Sequence, residues 1–309
     1  MSASTQLSVG FIGVGKMGWP MAARLVQAGV DVCVCDARAD EAARFVAEIG
    51  GSRALTPKAA VEGRDIVITM LPDSKIVEAV LFAGPDCAAL AMNPGAILLE
   101  MTSGAPAKTQ EFAARLAQQS IRTLDAPVSG GVARAITGDL AIMVGGDDAV
   151  LEIVRPVLAL MGTSIHKIGD VGTGQAMKAL NNLVSAGGFL IAAEALLIGR
   201  KFGLEPETML NVLNVSSGMN NSTQKKFKQF VLSRSFDSGF GLDLMVKDLS
   251  IALDVGRETA TAAPLSALCR ELWAGAAQAL GPGEDHTAVT KHAELIAGAT
   301  LGRNNQKTG

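Results

Sequence analysis

Two polar side chains stand out from an apolar run. Lys178 and Asn182 lie four residues apart in Gly172-Thr173-Gly174-Gln175-Ala176-Met177-Lys178-Ala179-Leu180-Asn181-Asn182. On a helix that spacing puts both on one face, one turn apart. The run continues through Ser185, Gly187-Gly188 and Glu194 to about Phe202, and Leu180, Leu183, Val184, Leu190, Ile191 and Leu197 fill much of the remaining circumference. A helix this apolar is expected to be buried on most sides, as one lying between two lobes would be. A lysine and an asparagine there need partners or a task. The task open to the lysine is proton transfer: as a base it must be neutral, so its pKa must fall well below the free value of about 10.4. In the reverse direction the ammonium form donates a proton to a developing alkoxide. The alternative is a lysine near a helix start that snorkels to solvent. The residues that precede it weigh between the two.

The chain opens with Leu7-Ser8-Val9-Gly10-Phe11-Ile12, a short apolar strand that runs into Gly13-Val14-Gly15-Lys16-Met17-Gly18. Helical spacing follows from Pro20 to Ala28, and Val30 to Cys35 reads as a second strand closing on Asp36. A lone G-x-G-x-x-G is weak evidence; between a strand and a helix, with an acid about twenty residues on, it is strong evidence for a dinucleotide site. Such glycines let backbone approach a pyrophosphate, whose charge meets the free N–H groups and positive end of the helix. Asp36 would accept hydrogen bonds from the adenosine ribose and repel a 2′-phosphate, which favours NAD over NADP; Arg38 tempers that preference.

Strands and helices then alternate. Helices are expected over 41–50, 56–62, 76–81, 106–119 and 148–161, and strands over 65–70, 96–100, 122–126, 140–144 and 164–168. The turns Leu71-Pro72-Asp73-Ser74 and Met101-Thr102-Ser103 follow strands. Ligands of such sheets collect at the carboxyl ends, so these turns point at the nicotinamide ribose. Pro127-Val128-Ser129-Gly130-Gly131 also follows a strand, and its small residues leave amides able to bind an anion such as a carboxylate. The expected fold class is α/β: an N-terminal Rossmann-type doubly wound sheet over 1–170, then 171–309 with a long interdomain helix (about 174–202) and an all-α C-terminal domain. Helices are expected there over 206–215, 223–232, 242–258, 264–280 and 287–299, with a polar tail from Gly302 to Gly309 that frays.

Four motifs, in order and spanning nearly the whole chain, resemble those of the β-hydroxyacid dehydrogenases, the family of 3-hydroxyisobutyrate dehydrogenase, tartronate semialdehyde reductase and L-threonate dehydrogenase. Phe11-Ile12-Gly13-Val14-Gly15-Lys16-Met17-Gly18-Trp19-Pro20-Met21 is similar to the opening signature and Asp125-Ala126-Pro127-Val128-Ser129-Gly130-Gly131 to the substrate loop. Gly172-x-Gly174-x-x-x-Lys178-x-x-Asn181-Asn182 resembles the catalytic helix, and Phe240-x-Leu242-x-Leu244-Met245-x-Lys247-Asp248-Leu249 the C-terminal motif. The resemblance implies that Lys178 is the acid–base, that Ser129, Gly130, Gly131, Asn182 and Lys247 hold substrate, and that Gly13, Gly15, Lys16, Met17, Gly18, Asp36, Leu71, Pro72, Thr102, Ser103, Phe240 and Lys247 hold the cofactor. Arg134 stands where many members have glycine or alanine, and Met219 where arginine is frequent, so the reaction is implied more firmly than the substrate.

The implied reaction is NAD-dependent interconversion of a small 3-hydroxy acid with its semialdehyde or keto acid. The amide-rich stretch Asn220-Asn221-Ser222 tilts the expectation toward a polyhydroxylated acid. An imine reductase of the same architecture and a catalytically silent nucleotide-sensing scaffold are the alternatives; both typically lack the lysine. A net charge of -3 gives no reason to expect nucleic-acid or membrane partners, and the apolar runs at 183–198 and 139–144 read as too short or too broken to span a bilayer. Cys33, Cys35, Cys87 and Cys269 read as buried thiols of a cytoplasmic protein. With His166, His286 and His292 they form no metal cluster. His286 and His292 are expected at the surface, Lys225, Lys226 and Lys228 on a solvated face, and the whole as a homodimer or homotetramer.

Overall fold

The computed structural model describes residues 7–302. The chain divides into two compact units, Met1–Lys178 and Ala179–Gly309. The tail expected to fray from Gly302 lies, past that residue, outside the described residues.

In the first unit β1 (Ser8–Ile12), α1 (Gly18–Gln27), β2 (Asp31–Cys35), α2 (Ala39–Glu48), β3 (Ser52–Arg53), α3 (Pro57–Val61), β4 (Ile66–Thr69), α4 (Ser74–Phe82), β5 (Ile97–Glu100), α5 (Pro106–Ala117) and β6 (Arg122–Asp125) alternate as the hydrophobic pattern requires. The strands pair in parallel in the order β3-β2-β1-β4-β5-β6. This is the doubly wound order, and it reverses beside β1, where ligands of such sheets bind. Period-two alternation sends the strand residues to two cores. Val9, Phe11, Ile66, Ile68, Ile97 and Leu99 pack with Met21, Leu25 and Phe45 on one face. Ile12, Val67 and Leu98 pack with Val77, Leu81, Phe112 and Leu116 on the other.

The sheet then departs from simple alternation. Pro127 to Gly131 is no open loop: β7 (Val128–Ser129) pairs antiparallel with β8 (Ala141–Gly145), and Gly131 starts α6 (Gly131–Thr137). β8 is antiparallel to β6 and parallel to β9 (Ser164–Gly169), with α7 (Asp148–Met161) between β8 and β9. β6 and β7 thus flank β8 and both run against it, with α6 in the connection between β7 and β8.

α8 (Thr173–Phe202) runs through the point of division. It is a single 30-residue helix, so the interruptions at Gly187, Gly188 and Glu194 do not break it, and by length and composition it is apolar enough to cross a membrane. In the second unit its Ala186, Phe189, Ala193 and Leu196 enter a core with Phe227, Leu249 and Trp273. Its other side leaves Val184, Ile191, Ile198 and Phe202 exposed. The remaining helices are α9 (Pro206–Leu213), α10 (Asn221–Lys225), α11 (Leu242–Glu258), α12 (Pro264–Leu280) and α13 (Val289–Ala297).

The helix expected over 223–232 splits at Lys226 (φ −118) into α10 and a π-helical stretch, Phe227–Leu232. The wider turn accompanies the stacking of Phe227 on Phe189 (4.7 Å between ring centroids) and the approach of Lys226 Nζ to His286 Nε2 at 2.9 Å. His286 is therefore buried, not at the surface, among Phe189, Phe240 and Trp273. Lys226 and Lys228 are engaged rather than simply solvated, Lys228 pairing with Glu207 at 2.8 Å.

Candidate active site

The glycine loop joins β1 to α1 for three separable reasons. Gly13 has φ +100, and a Cβ there would lie 2.4 Å from the Met70 carbonyl oxygen. Gly18 packs against Gly13 so closely that a Cβ would lie 1.8 Å from its carbonyl oxygen. A Cβ on Gly15 would meet nothing among the described residues within 4 Å. Lys16 is exposed and Met17 half-buried. Asp36 follows β2; its Oδ2 accepts from Val14 N and its Oδ1 from Arg38 N, each at 2.9 Å. The Arg38 side chain lies 3.6 Å from Asp36 and 3.6 Å from Glu41.

The turns after β4 and β5 are held together. Thr102 Oγ1 accepts from Leu71 N at 3.0 Å, and Met70 N donates to Ile12 O at 2.9 Å. Thr102 is fully buried, Leu71 and Ser103 are half-buried and Pro72 is exposed. The structure thus brings Gly13–Gly18, Asp36, Leu71, Pro72, Thr102 and Ser103 to the carboxyl ends of β1, β2, β4 and β5.

The start of α8 is fixed by groups to which sequence reasoning assigned no role. Asp125, buried at the end of β6, accepts from Gly172 N at 2.7 Å and from Gln175 N at 2.8 Å. It supplies acceptors for a helix start whose N–H groups have no intrahelical partner, and it puts negative charge at the positive end. Burial pushes the Asp125 carboxyl above its ordinary range, against the pull of these amides. Gly145 and Gly174 make room for it: a Cβ would come within 2.4 Å and 2.8 Å of its oxygens. Glu100, 1% exposed at the end of β5, accepts from Thr69 Oγ1 at 3.2 Å, Thr102 N at 2.9 Å and Gln175 Nε2 at 2.7 Å. Gln175 also donates to Thr102 O at 2.6 Å and accepts from Gly104 N at 2.9 Å. Burial, only partly offset by these donors, pushes the Glu100 carboxyl up to about 7. Lys178, 9% exposed, follows Gln175 by three residues.

The anticipated anion loop is half built into secondary structure. Ser129 ends β7, Gly130 (φ +136) precedes α6, and Gly131 (φ +68) is its first residue. Ser129 is half-buried, and both glycines are exposed. Arg134 packs on Gly130 and pairs with Asp139 at 3.1 Å.

In the second unit Asn182 is buried and donates from Nδ2 to Asp248 Oδ2 at 2.6 Å. Lys247 Nζ lies 3.3 Å from Asp248 Oδ1. Asp248 is the member of this cluster that went unassigned, although its place in the C-terminal motif marked it. The Phe240 carbonyl accepts from His286 N at 2.8 Å, and its ring stands edge-on to the imidazole. Asn220 is no free amide. Its Oδ1 accepts from Ser222 N and Thr223 N, capping α10, and its Nδ2 donates to Gly188 O. Of the amide-rich stretch, Asn220 thus serves the fold, while Asn221 is exposed.

The first unit is thus a dinucleotide-binding domain by strand order, glycine loop and the acid after β2. Residues 8–169 match a family model described as the NAD binding domain of 6-phosphogluconate dehydrogenase. Residues 172–293 match one described as NAD-binding of NADP-dependent 3-hydroxyisobutyrate dehydrogenase. The chain is 38% identical over 296 residues to 2-(hydroxymethyl)glutarate dehydrogenase of Eubacterium barkeri, covering 96% of this chain and 97% of that one. A Mycobacterium tuberculosis 3-hydroxyisobutyrate dehydrogenase with L-serine superposes with a TM-score of 0.84 at 32% identity, over 94% of this chain and 99% of that one. An imine reductase from Myxococcus stipitatus in complex with NAD+ shares the fold at 21% identity and a TM-score of 0.64, over 93% of this chain and 99% of that one. The chain belongs to the β-hydroxyacid dehydrogenase family. It is an NAD(P)-binding oxidoreductase that acts on hydroxyl groups of hydroxy acids.

Proposed function

We propose that the protein is an NAD-dependent dehydrogenase that interconverts a small 3-hydroxy acid with its semialdehyde or keto acid, and that Lys178 moves the hydroxyl proton. One observation carries this reading. Lys178 is a buried lysine on the first turns of α8, and Asp125, Glu100 and Gln175 tie those turns to the carboxyl ends of β5 and β6. Ligands of doubly wound sheets lie at that edge.

The residues present fit a dinucleotide. Among the described residues nothing lies within 4 Å of where a Gly15 Cβ would be, and α1 starts with no acidic residue in its first turn and no side-chain cap. Gly13, Gly15, Lys16, Met17 and Gly18 hold the pyrophosphate on this reading, Asp36 the adenosine ribose, and Leu71, Pro72, Thr102 and Ser103 the nicotinamide ribose. Bound there, the nicotinamide supplies the hydride acceptor. Lys178 takes the hydroxyl proton during oxidation and returns it during reduction. The amides of Ser129, Gly130 and Gly131 receive the substrate carboxylate. Asn182 and Lys247 are assigned to substrate, and Phe240 with Lys247 to cofactor, by the family resemblance. Asp36 favours NAD because its carboxylate repels a 2′-phosphate, and Arg38 is drawn onto Asp36 and Glu41.

The test is a panel of 3-hydroxyisobutyrate, glycerate, L-serine, L-threonate and 2-(hydroxymethyl)glutarate with NAD and NADP separately, on parent and Lys178→Ala. The parent should prefer NAD. Lys178→Ala should lose about 10²–10⁴-fold in kcat while still binding NADH. A Lys178→Ala variant that keeps its turnover sinks the proton-transfer role, and a large preference for NADP sinks the Asp36 argument. Imine reduction is disfavoured by Lys178 itself, and the imine reductase likeness is one of fold alone.

The four cysteines are buried and unbridged, which fits a reducing compartment, and we place the enzyme in the cytoplasm. The exposed apolar side chains of α8 support a homodimer or homotetramer.

A further inference from the structure

We propose that Gln175, held by Glu100, is a positioning residue that sets the turn of α8 carrying Lys178 against the turn after β5. The inference rests on the reading of Lys178 as acid–base. Every polar atom of the Gln175 side chain is used, and all of its partners belong to β5 or the turn that follows: Glu100 Oε2, Thr102 O and Gly104 N. Its own backbone N–H goes to Asp125 at the end of β6. One side chain therefore joins the segment assigned to the nicotinamide ribose to the helix that bears the proton carrier. The cap at the helix start comes from Asp125 and from Asp170 O, which accepts from Thr173 N at 3.0 Å, and a cap there leaves rotation about the axis loosely set. The lateral bonds from Gln175 remove that freedom one turn before Lys178. Hydride and proton transfer require their two acceptors at fixed separation, and a small misplacement is costly in rate.

Two variants of the full-length enzyme test this, assayed with NAD and the best substrate of the panel above. Gln175→Met keeps length and burial but removes all three lateral bonds. It should lower kcat at least tenfold, while ADP-ribose, a probe of the adenosine end, binds within twofold of the parent. Gln175→Glu sets a carboxyl against that of Glu100, with the Asp125 carboxyl on the backbone beside it. The two facing carboxyls can share one proton, and losing it drives them apart. Turnover by Gln175→Glu should therefore fall with rising pH more steeply than in the parent. A Gln175→Met enzyme within twofold of the parent kcat overturns the proposal, and so does a Gln175→Glu enzyme with the parent's pH profile. Should Gln175→Met fail to fold, the pH profile decides. If Lys178→Ala keeps its turnover, the acid–base reading has failed; if Lys178→Ala is inactive and Gln175→Met is not impaired, only the positioning role has failed.

Discussion

A methyl group on Gly18 would lie 1.8 Å from a backbone oxygen, whereas one on Gly15 would touch nothing among the described residues. The same motif therefore contains two glycines, Gly13 and Gly18, required by packing and one, Gly15, that packing does not require. Gly15→Ala should leave the thermal midpoint within a few degrees of the parent and weaken NADH binding at least tenfold, since the added carbon enters the space a pyrophosphate needs. Gly18→Ala should cost stability directly, because backbone must move. Thermal melts and NADH titrations of both variants check this; unchanged NADH affinity in Gly15→Ala would remove the pyrophosphate assignment. Residue types and spacing made Gly13, Gly15, Gly18, Asp36 and Lys178 legible in the chain. Glu100 and Gln175 stayed hidden because a glutamate ending a strand and a glutamine in a helix are ordinary until the fold brings them 2.7 Å apart.

Each unit buries an ionisable group beside its elements, and the two respond to pH with opposite sign. Glu100, at the end of β5, rises from 4.5 to about 7 through burial. Between those values the unfolded chain has released its proton and the folded one holds it, so folding stability falls as pH rises across that window, by on the order of 3 kcal/mol. His286, beside the π-helical stretch, is pushed down from 6.5 to about 4, by burial first and by Lys226 second. Its stabilising contribution is complete above 6.5 and is lost as pH falls through about 4, a change of similar size. Urea melts from pH 4 to 8 check both. Relative to Glu100→Gln, the parent should lose stability between pH 4.5 and 7, and relative to His286→Gln it should lose stability toward pH 4. Flat differences would show that these groups do not titrate as described. Helix and strand positions were largely readable from apolar periodicity. The antiparallel pairing of β7 with β8 and the split at Lys226 were not, because pairing direction and a widened turn depend on distant partners.

For the whole molecule, the exposed face of α8 sets the expectation. Val184, Ile191, Ile198 and Phe202 are 63–85% exposed and recur at seven- and four-residue steps along one side of the helix. Large apolar side chains clustered on a surface mark an interaction site, and a second copy of this chain is the partner proposed. Light scattering coupled to size exclusion should give a dimer or tetramer. Ile191→Glu with Ile198→Glu should shift it toward monomer, and a parent that is monomeric at micromolar concentration would defeat the assignment. The order of elements, the glycine loop, the acid after β2 and the long helix with its lysine were determined by sequence alone, because each depends on local backbone geometry or on a period of two or 3.6. Only the tertiary structure decided which polar groups serve the site and which serve the fold. Asn220 became a helix cap, His286 a buried member of an aromatic cluster, and Glu100, Asp125 and Gln175 the anchor of α8. Such roles depend on which groups are withdrawn from water together, and spacing along a chain does not specify that.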